Sequence, residues 1–386
     1  MVPEGWIHTT FGRHIECLTG FAFKSERYSN AEDDIRLLRG DNIEPGSLRW
    51  RDAKLWPKNE TDGLDGYHLQ DGDFVVALDR TWISSGLKVA EVTTEDLPCL
   101  LVQRVARIRA KDSLEQSLLR QYFSGHRFEQ YVKSVQTATA VPHISPNDIK
   151  EFTVLLPPLP EQKKIAQILS TWDQAITATE RLLENSQQRK KGLMQQLLTG
   201  KKRLPEFEGE WNFISFSDGF SVANQKTSQV KSSEYQVSGT IPIVDQSQNE
   251  IAGYCENNSP YTDVPVIVFG DHTRALKWVD FPFCPGADGT QVLKAKPIMG
   301  DKFAYFILSH VELPNLGYSR HMRELKQREF KIAVDVNEQR GIADVLTTAD
   351  EEIQVIDKRL TCLKQEKKAL MQQLLTGKRR VQAEVA

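Results

Sequence analysis

At 386 residues, 40% hydrophobic and 26% charged, the chain has an ordinary globular composition, which excludes collagen-like, mucin-like and wholly disordered classes. Its net charge of -3 argues against a small free-standing nucleic-acid binder, which carries a strong basic excess. No run approaches the roughly 20 apolar residues that cross a bilayer. Met1-Val2-Pro3-Glu4-Gly5-Trp6 has no leader character, so neither membrane nor secretion is expected. Cys17, Cys99, Cys255, Cys284 and Cys362 form no Cys-x-x-Cys pair and fit free thiols in a reducing cytoplasm. Neither they nor the histidines show metal-ligand spacing, so no metal is expected.

Residues 1–157 alternate short apolar runs, such as Phe74-Val75-Val76-Ala77-Leu78 and Leu100-Leu101-Val102, with turn signals such as Asp71-Gly72-Asp73 and Ser85-Gly86. This predicts a mixed α/β globule built on a twisted sheet. Residues 158–203 read as one long helix. Ile165, Leu169, Trp172, Ile176, Thr179, Leu183, Ser186, Lys190, Leu193 and Leu197 recur at spacings of four and three, the period of a coiled-coil seam. Pro160 and Glu161 suit its start, and Gly200 before Lys201-Lys202-Arg203 suits its stop. Trp172 falls in the apolar column, which assigns it to the seam rather than to base stacking. Residues 204–336 form a second globular segment, with runs such as Pro265-Val266-Ile267-Val268-Phe269 and turns such as Ala287-Asp288-Gly289. Residues 337–380 are a second long helix, with Ile342, Leu346, Ala349, Ile353, Ile356, Leu360, Leu363, Lys367, Leu370 and Leu374 in its column. A short tail, 381–386, follows.

The two helices are one word written twice. Leu193-Met194-Gln195-Gln196-Leu197-Leu198-Thr199-Gly200-Lys201 returns as Leu370-Met371-Gln372-Gln373-Leu374-Leu375-Thr376-Gly377-Lys378, and Glu161-Gln162 as Glu338-Gln339, at a constant offset of 177 residues. The lysines at 190 and 367 interrupt the apolar column at equivalent places, as residues do that fix register or that mark where a partner helix takes over the groove. The globular segments are net acidic and the helical segments net basic.

This order, together with Leu155-Leu156-Pro157-Pro158-Leu159-Pro160-Glu161-Gln162 leading into the first helix and Val141-Pro142-His143-Ile144-Ser145 before it, resembles the specificity (S) subunits of type I restriction–modification systems. The second helix departs from that pattern at its start, where Val334-Asp335-Val336-Asn337 lacks the prolines. The resemblance implies an α+β (mixed α/β) chain of two globular target recognition domains, separated by two long antiparallel coiled-coil helices in a pseudo-twofold arrangement. It implies that each domain reads one half of a bipartite double-stranded DNA target. It further implies two modification (methyltransferase) subunits that carry S-adenosylmethionine, and restriction (translocase/endonuclease) subunits that use ATP with magnesium. This chain itself is then expected to bind no cofactor and to do no catalysis. Half-sites on one DNA face would lie on the order of 10 bp apart between centres.

Base readout needs Arg, Lys, Asn, Gln, Ser or Thr at base edges. In the second globule the densest candidate run is Tyr318, Ser319, Arg320, His321 and Arg323, joined by His272, Thr273, Arg274 and Lys277. In the first, Gln136, Thr137, Thr139 and His143 occupy the corresponding late loop, with Ser84, Ser85, Lys88, His126 and Arg127 as further candidates. His143 and His321 recur at matching places, which favours a shared structural hydrogen bond over base reading. Because both globules are acidic, tight binding is expected only where partner subunits add positive charge.

An independent enzyme would need chemistry that the sequence lacks. There is no Gly-x-x-x-x-Gly-Lys-Ser/Thr loop, Gly-x-Ser-x-Gly elbow or His-Glu-x-x-His helix. Glu161-Gln162-Lys163 imitates the end of a metal-nuclease motif but sits at a helix start and recurs as Glu338-Gln339-Arg340. The remaining alternative is a two-headed DNA-binding scaffold or regulator without restriction partners.

Overall fold

The duplicated words fold as two helices of 39 residues each, Leu159–Leu197 and Val336–Leu374, in a computed structural model that describes residues 2–136, 141–256, 259–314 and 320–382. Both helices stop at a glycine with left-handed backbone, Gly200 and Gly377, each at φ 69°. At Gly377 space makes the same demand, since a Cβ there would lie 2.3 Å from Pro3. No helix among the described residues is long and apolar enough to cross a membrane.

The chain gathers into two units. One takes the residues up to 178 together with those from 360 onward; the other takes residues 179–359. Each unit therefore contains one globule, the first half of one long helix and the second half of the other. In the first unit the helical segments run antiparallel, because Glu161 meets Arg380 at 2.8 Å while Asp173 meets Lys367 at 2.6 Å. In the second unit Glu338 meets Arg203 at 2.7 Å, and Asp350 pairs with Lys190. The second set is the first set shifted by 177 residues. The column residues face inward in each unit: Ile165, Leu169, Trp172, Ile176, Leu360, Leu370 and Leu374 in one, and Leu183, Leu193, Leu197, Ile342, Leu346, Ile353 and Ile356 in the other. All are buried or half-buried.

The interrupting lysines thus have partners across the seam, and a wrong register would strand an ammonium among apolar side chains. Lys367→Asp, which sets a carboxylate against Asp173, is expected to destabilise the chain by about 1–3 kcal/mol in urea unfolding. Adding Asp173→Lys should restore most of that loss. Failure of the double exchange to recover stability would show that the pair does not set register.

The two globules share a topology despite their unlike sequences. In the first, Ile7–Thr10 pairs antiparallel with Thr153–Leu156. A four-stranded antiparallel sheet follows, in the order Val89–Glu91, Phe74–Ala77, Val105–Ala110, Ile15–Thr19. A three-stranded sheet places Ile35–Leu38 between parallel Cys99–Leu101 and antiparallel Lys54–Trp56. In the second globule Trp211–Ser215 pairs with Glu329–Ala333. The four-stranded order is Leu276–Val279, Val266–Gly270, Thr290–Ala295, Phe220–Val222, and Ile241–Val244 lies between parallel Cys284–Pro285 and antiparallel Gly253–Cys255.

The first turns of each long helix belong to a globule's core. Ile165, Ala166 and Leu169 pack in one cluster with Phe11, Phe123 and Phe152. Ile342, Ala343 and Leu346 pack with Phe303, Phe306 and Phe330. Beside them, Gln162 accepts from the Glu115 N–H and donates to the Ser113 and Pro157 carbonyls. Gln339 does the same with the Gly300 N–H and the Ile298 and Ala333 carbonyls.

Glu161 and Glu338 lie in their helices' first turns, as expected, but both are buried under arginine forks. The Trp6 indole also donates to Glu161 at 3.0 Å. The basic runs after each helix therefore do more than complement a helix C-terminus. Arg203 and Arg380 close salt bridges onto the opposite helix's start, and those hydrogen bonds raise both guanidinium pKa values. Among the described residues no cluster of three or more His, Cys, Asp or Glu could hold a metal ion.

Candidate nucleic-acid interface

In the first globule, the turn after Phe74–Ala77 and the bend before Val105–Ala110 meet at one end of the four-stranded sheet. The Leu78 N–H donates to the Arg104 carbonyl at 2.8 Å and joins them. The segment leading toward the first long helix lies alongside, with the Arg80 N–H on the Pro142 carbonyl at 2.6 Å and the Ile144 N–H on the Leu78 carbonyl at 2.9 Å. Between these loops opens a polar cleft of about 330 Å³ that gathers Arg39, Arg80, Lys88, Gln103 and Arg104. Asp79 lies 3.3 Å from Arg104, and Asp41 lies 3.4 Å from Arg39. Burial lowers the pKa of the Lys88 ammonium, which Asp41 opposes.

The second globule repeats this construction with other residues. The Asp271 N–H donates to the Gly289 carbonyl at 2.7 Å, the Arg274 N–H to the Gly270 carbonyl at 2.8 Å, and the His321 N–H to the Asp271 carbonyl at 2.9 Å. Thr273 and Arg274 are exposed there; the Thr273 hydroxyl donates to the Gln246 carbonyl, and the Arg274 guanidinium to the Leu313 carbonyl at 3.1 Å.

Several sequence candidates fall on these loops. Arg320 and Arg323 are exposed at and within the short helix His321–Lys326. His143 is exposed and bridges to Asp79. Ser84 and Ser85 sit exposed in the hairpin between Trp82–Ile83 and Gly86–Leu87. Gln136 is half-buried at the end of the helix His126–Val135. Thr137, Thr139, Tyr318 and Ser319 lie outside the described residues.

Lys277 is corrected as a DNA-contact candidate and the matching of His143 with His321 is corrected by one residue, while His321 itself has the structural hydrogen bond favoured for it. His321 is 1% exposed, with Nδ1 against the Asp271 carbonyl, so its ring presents nothing to a base edge. The ladder also shows that its counterpart is Ile144 and not His143, because Ile144 and His321 make the equivalent backbone bond. Lys277 is buried and donates to the Asp245 carbonyl at 2.7 Å, because it occupies an inward position of the strand Leu276–Val279. Arg127 is not at the cleft; with His126 it lines a separate cavity of about 510 Å³ beside Lys368 and Met371.

Sequence reasoning passed over Arg39, Arg80 and Arg104. Strand pairing matches Leu78 with Asp271 and hence Arg80 with the candidate Thr273, a correspondence that the sequence alone does not display.

Comparison with known proteins points to one family. Residues 52–185 match the Type I restriction modification DNA specificity domain. The specificity subunit of the type I restriction enzyme EcoAI from Escherichia coli is 34% identical over 182 residues, which are 47% of this chain and 30% of that protein. The putative MjaX specificity subunit from Methanocaldococcus jannaschii is 26% identical over 289 residues, covering 68% of this chain and 67% of that protein. The match to EcoAI, and one to the MjaVIII subunit that covers 48% of its length, thus span less than half of those relatives. The fold matches that of the type I restriction–modification S subunit from M. genitalium with a TM-score of 0.66. That match covers 97% of this chain and 96% of the other at 14% identity.

Proposed function

We propose that this chain, which is similar to type I restriction specificity subunits and matches their DNA specificity domain over residues 52–185, is the DNA-recognition subunit of such a system. It reads a bipartite, asymmetric target with its two globules and scaffolds two modification subunits and the restriction subunits. The chain performs no chemistry of its own. S-adenosylmethionine belongs to the modification subunits, and ATP with magnesium to the restriction subunits. The observation that carries this reading is the repetition of one loop construction at the end of one sheet in both globules, with unlike side chains on it. One architecture displaying two side-chain sets on a single chain suits the reading of two different half-sites.

Methylation sequencing tests it. DNA from cells co-expressing this chain with its modification subunit should show a split motif with unlike halves, absent when the chain is omitted. Co-purification of the two proteins without any such motif would overturn the recognition role and leave a scaffold.

A further inference from the structure

Two equivalent positions in the globules share an unusual backbone but not a residue. In the second globule, the residue before Thr290–Ala295 is Gly289, at φ 66°. A Cβ there would lie 2.4 Å from Gln246 Oε1 and 2.7 Å from His272 Cδ2, so a side chain would have to displace both as well as bear the left-handed backbone. In the first globule the residue before Val105–Ala110 is Arg104, at φ 68°, and its carbonyl accepts the equivalent bond from Leu78. A left-handed backbone is strained for any residue with a Cβ and free of that strain for glycine. The fold would therefore be better served by glycine at 104.

The ion pair that the Arg104 side chain makes among the described residues does not offset this strain. Its side chain is 68% exposed and, among the described residues, pairs with the partly exposed Asp79 at 3.3 Å, a kind of pair that contributes little to stability. Arg80, across the same cleft, is a second arginine held left-handed, at φ 46°. Strained residues that persist without a structural return concentrate at binding sites. A guanidinium can grip the O6 and N7 edge of guanine with two parallel hydrogen bonds.

Building on the DNA-recognition reading above, we infer that Arg104 is a specificity-determining residue of the first globule, reading a guanine in one half of the target.

The test is Arg104→Gly in the full complex with the modification subunit, read by methylation sequencing and by thermal unfolding of the chain. Glycine relieves the backbone, so the melting temperature should hold or rise. One guanine position in one half-site should relax, with discrimination there falling roughly 5- to 150-fold, while the other half stays as in the parent. Arg104→Lys should restore discrimination only in part, because an ammonium can reach the same edge but lacks the planar fork. An unchanged motif would overturn the inference. So would a uniform loss of methylation with no relaxed position, which marks a phosphate contact, or a lower melting temperature, which marks a structural role. If the parent complex yields no split motif at all, the recognition reading itself has failed, and the inference that rests on it falls with it.

Discussion

Truncating Leu346 to alanine is expected to destabilise the unit of residues 179–359 by about 2–5 kcal/mol, and Leu169→Ala to do the same in the other unit. Both leucines are fully buried, and they stand 177 residues apart in the duplicated column. Each lies where the seam merges with a globule core, Leu346 among Phe303, Phe306 and Phe330 and Leu169 among Phe11, Phe123 and Phe152. A hole between a straight helix and aromatic rings closes poorly, which puts the loss in the upper part of the range. Urea unfolding of the full chain measures it. A loss under about 1 kcal/mol at either site would mean that the long helix is not part of the globule's core.

Gln339→Leu should be comparably damaging although it keeps the volume. The side chain is fully buried, and its amide is the partner of the Gly300 N–H and of the Ile298 and Ala333 carbonyls. Leucine leaves three backbone groups unsatisfied away from water, each costing about 1–3 kcal/mol if it finds no substitute. Partial rescue by water brings the expected total to about 2–5 kcal/mol. Gln339→Glu should be worse, because a carboxylate would face two carbonyl oxygens. Limited proteolysis gives a second readout: the turn at 296–300 that Gln339 anchors should become cleavable. If unfolding and cleavage both match the parent, the amide is not the anchor. Gln162→Leu makes the same prediction for the turn at 113–115 in the first unit.

The recurrence of Glu161-Gln162 as Glu338-Gln339 was visible as sequence, but its role was not. A glutamate in the first helical turn already has a sufficient local explanation in the helix dipole. Its burial under Arg380 or Arg203 depends on a chain reversal of more than 100 residues. The same limit applies to His321. Two histidines at nearly equal offsets looked equivalent in a one-dimensional alignment, and the ladder bonds shift the correspondence by one residue, enough to separate an exposed ring from a buried one.

By itself the sequence determined the duplication, the two long helices, their inward column, their glycine stops and the family they resemble. All of these follow from periodicity and local backbone preference, which neighbouring residues carry among themselves. Only the tertiary structure decided which loops share a sheet end, that Lys277 turns inward, that Arg127 faces another cavity, and that Arg39, Arg80 and Arg104 converge on one cleft. The placement of Arg127 depends on how its helix, His126–Val135, packs; the others depend on strand register, where a shift of one residue exchanges the inside for the outside, and register is set by pairings between residues far apart in the chain.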